Sequence, residues 1–378
     1  MHERRRCART SRGVALQSVL DSVRSLIPDI AERALDVDQR GAVDRAVIAL
    51  LHDCGYFSLL RPPGFGGPPA DAQAYLTATR EISAACVSTG WLAGWLAVNS
   101  WGLSVRDPRV LDEIWGDDAR TLLCSSYAPT GRLERVGGGF RLSGRWARCT
   151  GAHHASWLSA AALLVGPDGA AQDFMAVLVP AADYAVESTW DGLGLRGIGA
   201  DDVVVVDVFV PEYRAFSWLD LAYDARVAPL DRLPQPTFYT LAGTLPLLGA
   251  ARRALDVAPT SSGGALSALA MADSDVALSV RQISRNVAEM VESVRTGEFP
   301  AAELALRNRR DQVMAAERAR EAVRLIVQEA AYGDDDVLLE RIWRDVQTAC
   351  IHVSSNVEQV LSVVGRFELG LSVDDVIW

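Results

Sequence analysis

Between Val14 and Trp115 apolar residues recur at three- and four-residue spacing, the pattern of helices that bury one face. Breaks are expected at Pro28, at Arg61–Pro69 and at Asp107–Pro108. From about Thr121 to Phe216 the pattern changes to short β-rich runs bounded by Gly, Pro or Asp: Leu133–Val136, Phe140–Trp146, Ala160–Val165, Phe174–Val179 and Val203–Val210. The first two flank Gly137-Gly138-Gly139 and read as a hairpin. From Phe238 the helical period returns. Val276, Val280, Ile283, Val287, Met290, Val291 and Val294 form one stripe, and Ala319, Val323, Ile326, Val327 and Ala330 a second. Pro259–Gly264 reads as a mobile loop.

The order helices, strands, helices predicts an α+β, mainly α chain in three parts. These are an N-terminal helical domain over 1–118, a central antiparallel β-barrel or sandwich over 119–217, and a C-terminal four-helix bundle over 218–378. Strands do not alternate with helices, so a parallel dinucleotide-binding sheet is a poor fit. Gly192–Gly199 lacks the spacing of a phosphate loop. The long C-terminal stripes exceed what one subunit covers and predict self-association, as a homotetramer or at least a dimer.

Composition narrows the chemistry. All 37 basic residues are arginine, which excludes lysine Schiff bases and the phosphate-loop lysine. The net charge of −11, without a basic stripe, argues against nucleic acid. Six scattered cysteines without a CxxC pair point to the reducing cytoplasm, with neither a metal site nor a disulfide framework. No apolar run is long enough to span a membrane, and the Arg-rich Met1–Arg12 reads as a disordered tail.

Several segments in the right order are more specific than any one of them. They are Leu51–Gly67 ending in RPPGFGG, and Ile82–Trp101 with its C-x-S-x-x-W at Cys86, Ser88 and Trp91. Ser125–Gly131, Gly138–Trp146, Cys149–Trp157, Trp190–Gly199 with Asp201–Arg214, and Arg341–Asp345 leading to His352 and Gly365-Arg366 complete the set. Together they resemble the acyl-CoA dehydrogenase superfamily, and within it the oxygenase components of two-component flavin-dependent monooxygenases. The resemblance implies an acyl-CoA dehydrogenase-like fold and reduced flavin (FADH2 or FMNH2) as cofactor, with O2 as cosubstrate. It also implies a small aromatic, indole or polyketide-type substrate and a separate NAD(P)H:flavin reductase, consistent with the lack of a nicotinamide site.

On that resemblance Thr150 falls beside the reactive ring nitrogen of the flavin. Backbone around Ser126, Tyr127, Ala128, Pro129 and Thr130 holds the ring's polar edge, with Arg196 and Gly197 also on the cofactor. A reduced flavin that activates oxygen needs such a partner and a dry pocket. By itself Thr150 is an ordinary strand residue. His352 is one of only five histidines and the group expected to do acid–base work, as a general base toward the substrate. On a continuous helix it would share a face with Arg344 and Thr348, with Asp345 seven residues before it. The plain alternative is a partly exposed helical histidine. His154 matches the pattern and is placed with Trp91 and Trp95 in the substrate pocket, its plain alternative being packing near the flavin, and His52 reads as a surface or interdomain residue. Asn99 stands where related hydroxylases carry a histidine; it can hydrogen-bond a substrate but cannot act as a base. Trp91, Trp95 and Trp101 lie at helical spacing and read as core, or as the wall of an aromatic pocket.

Four functions remain open on these residues. An oxygenase needs the features just named. A flavin desaturase or oxidase needs a carboxylate base near the C-terminus, where Ile351–Ser355 offers none. An amine N-oxygenase on the same fold, or an inactive helical partner, is the further alternative.

Overall fold

A computed structural model describes residues 2–62, 64–65, 71–103, 106–217, 229–234, 236–258, 266–298, 300–330 and 337–373. The expected mobile loop at 259–264 lies outside them.

The first helix, α1 (His2–Arg40), differs from expectation twice: the Arg-rich start is helical, and Pro28 does not break it. Proline removes one backbone donor. Val23, Ile30, Ala34 and Val37 nevertheless lie buried along one face on either side of it, and that burial holds the two halves in line. Three of the next four helices begin at aspartate caps. Asp44 accepts from Ala46 N at the start of α2 (Arg45–Asp53), and Asp71 from Ala74 N at α3 (Ala72–Ala85). Between α3 and α5 (Pro108–Trp115), which starts at Asp107 with proline in its first turn, runs α4 (Val87–Val98). Apart from half-buried Trp95, every side chain of α4 is buried, because it is enclosed by helices and by the edge of the sheet.

The strands are β1 (Leu123–Val136), β2 (Gly139–Thr150), β3 (Trp157–Val165), β4 (Ala171–Pro180), β5 (Ala185–Glu187), β6 (Ala200–Pro211) and β7 (Ala215–Ser217). They form one seven-stranded sheet in the order β5-β6-β2-β1-β3-β4-β7. The predicted hairpin is present, with Val136 opposite Gly139 and Gly138 at φ +81°, a conformation glycine adopts without strain. The pairing departs from the expected antiparallel arrangement in one place: β1 and β3 run parallel. Alternation along the strands feeds two cores. Cys124, Leu158, Val177 and Val179 face one, whereas Leu123, Trp157 and Leu178 face the other, against Ile114 and Trp115 of α5.

Two irregularities interrupt the sheet. Between the pairs Ser126↔Ala160 and Gly131↔Ala162, residues Tyr127–Thr130 loop out opposite the single Ala161. On β6, Val206 and Asp207 bulge against Ser143, with Asp207 at φ 50° and Val206 76% exposed. The bulge is tied by Asp207 N to Ser143 Oγ and by Arg141 to the Asp207 carbonyl.

The chain returns to helix with α6 (Pro236–Asp256), α7 (Leu266–Thr296), α8 (Ala302–Ala330), α9 (Val337–Cys350) and α10 (Val357–Glu368). The predicted stripes are their packing faces. Val276, Ile283, Val287, Met290 and Val294 are buried on α7, and Ala319, Val323 and Ile326 on α8; Val280, Val291 and Val327 are half-buried beside them.

Candidate active site

The end of β2, the helix α4 and the turn after α9 meet at one place. Thr150 closes β2 opposite Ala200, and Gly151 follows at φ +78°. A Cβ on Gly151 would lie 2.8 Å from Leu92 and 2.9 Å from Leu96, so only glycine lets α4 pack so closely over the strand end. One position before each of these leucines, α4 carries Trp91 and Trp95. Their rings flank His352, with centroids 5.4 Å and 5.1 Å from the imidazole. Thr150 and His352, far apart in sequence, are thus joined through one short helix.

His352 is not on a helix, which corrects the expected Arg344–Thr348–His352 face. The chain leaves α9 at Cys350, and His352 caps a short 3-10 turn at Val353–Ser355. Its Nδ1 accepts from Ser354 N (3.2 Å) and lies 2.8 Å from Ser354 Oγ. A backbone N–H only donates, so Nδ1 carries no proton and the neutral ring is protonated on Nε2. Burial, then Arg148 and Arg309, lower its pKa to about 4. At neutral pH His352 therefore offers a donor, Nε2–H, and not the basic nitrogen expected of a general base.

Arg148 lies at a register shift in β2, at φ 60°, a backbone conformation that costs a non-glycine residue about 1–2 kcal/mol. Arg309 approaches from α8, and its Nη2 donates to the Ser354 carbonyl at 2.8 Å.

Asn99 has another task. It ends α4, its Nδ2 donates to Leu123 O (2.9 Å) and its Oδ1 accepts from Ser125 Oγ (2.8 Å), so both ends of the amide tie α4 to β1. The looped-out Tyr127–Thr130 is anchored at three points. Ser126 Oγ reaches Ala147 O, Thr130 Oγ1 donates to Arg145 O, and Tyr127 Oη bonds Tyr239 on α6. Ala128, Pro129 and Thr130 are exposed, and their backbone lacks register partners on β3.

Arg196 and Gly197 belong to a separate structure, the Trp190–Gly199 loop. Asp201 Oδ1 accepts from Thr189 N and Trp190 N, Asp345 accepts from Leu195 N, and Thr348 Oγ1 from Gly194 N. Arg344 donates to Leu193 O and pairs with Asp38 of α1 at 2.8 Å. Gly197 is buried and Arg196 exposed. Asp345 and Thr348 are thus spent on the loop rather than near His352, and burial raises the Asp345 pKa to about 7. His154 is half-buried with its pKa lowered to about 4, mainly by desolvation. With His153, Arg45 and Trp190 it lines a cleft of about 430 Å³, away from the tryptophan pair. Trp101 is core: it packs on Phe238 and donates to Leu230 O. His52 packs on Phe57.

Sequence reasoning missed Arg309 and Ser354. Arg309 sits in a run of arginines, RNRR, where nothing local marks one as buried; Ser354, two residues beyond a histidine, is a readable turn signal.

Residues 15–102 match the model of the acyl-CoA dehydrogenase N-terminal domain and 241–357 that of the C-terminal domain. The chain is 32% identical over 378 residues to the flavin-dependent monooxygenase oxygenase subunit HsaA of Rhodococcus jostii (strain RHA1), covering 93% of this chain and 98% of that one. It is 31% identical to the oxygenase component of the FADH(2)-dependent resorcinol hydroxylase of Rhizobium sp. (strain MTP-10005), covering 89% and 90%. The crystal structure of 3-HSA hydroxylase from Rhodococcus sp. RHA1 superposes with a TM-score of 0.90 at 31% identity, over 95% of this chain and 98% of that one. XiaF from Streptomyces sp., solved with FADH2 and glycerol, has the same fold, with a TM-score of 0.90 at 24% identity over 98% and 100%.

Proposed function

The chain belongs to the flavin-dependent monooxygenase oxygenase subunits of the acyl-CoA dehydrogenase-like fold, and from that premise we propose that it hydroxylates a small aromatic compound with reduced flavin and O2. The observation that carries the reading is the meeting of two kinds of surface at the end of β2. On the strand side are the looped-out residues Tyr127–Thr130 and the strand-end Thr150. On the helix side His352 stands between two tryptophans.

These residues fit a flavin. Thr150 and the looped-out Tyr127–Thr130 lie where the ring would be held, and among the described residues the Trp91 and Trp95 Nε1 atoms are buried without a hydrogen-bond partner. When bound, reduced flavin supplies the activated oxygen. Thr150 would provide the hydroxyl for a ring nitrogen held there, and Leu92 and Leu96, packed on Gly151, would keep water from that edge. Trp91 and Trp95 hold an aromatic substrate, and His352 Nε2–H donates to its oxygen, stabilising the charge that makes the ring electron-rich. The charged groups that bear on His352 are both arginines, which supports hydroxylation over an acyl-CoA dehydrogenation that needs a carboxylate base.

The reduced flavin comes from a separate NAD(P)H:flavin reductase, and the subunit assembles as a homotetramer through α7 and α8. Leu266, Met271 and Leu278 stay exposed along α7, which supports that surface. Among the described residues no helix is long and apolar enough to cross a membrane.

The test supplies the protein with FAD or FMN reduced anaerobically, then O2 and a panel of phenols and indoles. One oxygen atom added to a phenol, with O2 use matched to product, is the expected result. Oxidation of an acyl-CoA, or flavin reoxidation to peroxide alone with every phenol and indole of the panel, overturns the proposal.

A further inference from the structure

Arg309 is 5% exposed, and among the described residues one of its nitrogens is engaged, Nη2 on the Ser354 carbonyl. Its Nε and Nη1 are buried without partners. Burial alone lowers its pKa to about 10. Removing an unpaired cation from water costs several kcal/mol, and apolar replacements of buried charges are often neutral or stabilising. A fold gains nothing from such a residue at this position, so its use lies in what it holds.

What it holds is the turn of His352. The Ser354 carbonyl receives Arg309, the Ser354 N–H donates to His352 Nδ1, and Ser354 Oγ lies 2.8 Å from the same nitrogen. All three atoms belong to one residue, so a carbonyl fixed by a guanidinium fixes the peptide and hydroxyl that set the imidazole proton. Space around Ser354 is already tight. A Cβ at Gly243 of α6 would lie 2.3 Å from Ser354 Oγ, so the serine hydroxyl is seated against α6 in space that only glycine leaves.

We propose that Arg309 is a positioning residue for the reaction: through the Ser354 carbonyl it locks the Val353–Ser355 turn and thereby keeps His352 as its Nε2–H tautomer, facing the substrate as a donor. The proposal rests on the hydroxylase reading only for the word reaction; the tautomer is a property of the folded chain. The charged groups bearing on His352 are Arg309 from α8 and Arg148 from the end of β2. Trp91 and Trp95 are its neighbours on α4, which carries no charged residue, and Gly243 represents α6 at the turn. Loss of Arg309 removes a cation and loosens the turn, so both effects raise the His352 pKa from about 4 toward its ordinary value.

The experiment compares wild type, Arg309→Met and Arg309→Lys on the full chain, with three readouts. Nitrogen-15 NMR of the histidines, without flavin, reports which ring nitrogen of His352 is protonated. Arg309→Met is expected to mix the two tautomers or protonate the ring near pH 6, and Arg309→Lys, which keeps one donor for the carbonyl, to restore the Nε2–H form in part. Thermal unfolding of Arg309→Met is expected at or above the wild-type temperature. With an accepted substrate, product formation should fall about tenfold to a hundredfold, with an acid limb moved to higher pH than in wild type, while flavin binding is kept. The proposal is overturned if Arg309→Met leaves the His352 spectrum and pH profile unchanged. It is also overturned if the rate loss merely follows a lowered unfolding temperature. A shifted tautomer in a protein that hydroxylates nothing would sink the proposed function and leave the positioning role standing.

Discussion

Replacing Asp345 by asparagine should stabilise this protein at alkaline pH and leave it unchanged in acid. Asp345 is buried at the foot of the Trp190–Gly199 loop, where its Oδ1 accepts from Leu195 N. Desolvation, followed at some distance by the nearby Asp38, raises its pKa to about 7, against about 3.9 in an unfolded chain. Between those values the folded protein holds a proton that the unfolded chain has released. Stability contributed by that proton is complete below about pH 4 and is lost as pH rises through 7. Three pH units correspond to roughly 4 kcal/mol, an upper limit because Arg341 and Arg344 relax toward the ionised group. Asparagine keeps the acceptor for Leu195 N and never ionises. With an unfolding entropy of about 2 cal/mol/K per residue, 4 kcal/mol is worth about 5 °C in a chain of this length. Unfolding followed by circular dichroism from pH 4.5 to 8.5 should show the two proteins converging at the acid end and the variant about 3–5 °C higher at pH 8.5. Parallel curves, or a variant weaker at pH 8.5, would refute the reasoning and mean that Asp345 stays ionised, held by its arginines.

Further outcomes follow from the site. Thr150→Val should keep flavin binding and release more hydrogen peroxide per O2 consumed, read with a peroxidase-coupled assay; unchanged coupling would remove Thr150 from the ring nitrogen. His352→Ala should slow hydroxylation about a hundredfold, whereas His352→Gln, which retains an N–H donor, should recover part of it. If glutamine equals alanine, the donor role fails. Because His352 is neutral down to about pH 4, its titration should cause no loss of rate between pH 5 and 8. Gly197→Ala, whose Cβ would sit 2.3 Å from Val37, should cost about 1–3 kcal/mol by chemical denaturation. Light scattering at micromolar concentration should give a multiple of the 40.8 kDa chain mass.

Much of the architecture was legible because burial writes its period into the chain. The stripe from Val276 to Val294 is the face α7 packs, and the paired glycines after Val136 are the hairpin turn. Pro28 misled because a single proline is a local signal, overridden by a continuous apolar face on either side. The parallel pairing of β1 with β3 was not readable, since strand order depends on contacts distant in sequence. At the site, Thr150 and His352 stood out through the motifs around them, but their chemistry did not. His352 at four-residue spacing from Thr348 looked helical, and only the turn at Val353–Ser355 reveals which nitrogen holds the proton. Asn99 looked available to a substrate until both its amide atoms were found on β1.

The bulge at Val206–Asp207 bears on how the chain survives its own synthesis. Val203–Val210 is the most β-prone apolar run in the protein, and such runs stack between molecules when presented flat and unpaired. Among the described residues β5 pairs with Asp202–Val204 of its outer rim, and the remainder of that rim has no strand partner. Asp207 places a charge and a left-handed kink in the middle of that rim, turning it out of the plane another chain would need. Replacing Asp207 by valine would remove both guards, and the expected consequence is a protein that folds when dilute but collects in inclusion bodies when made quickly.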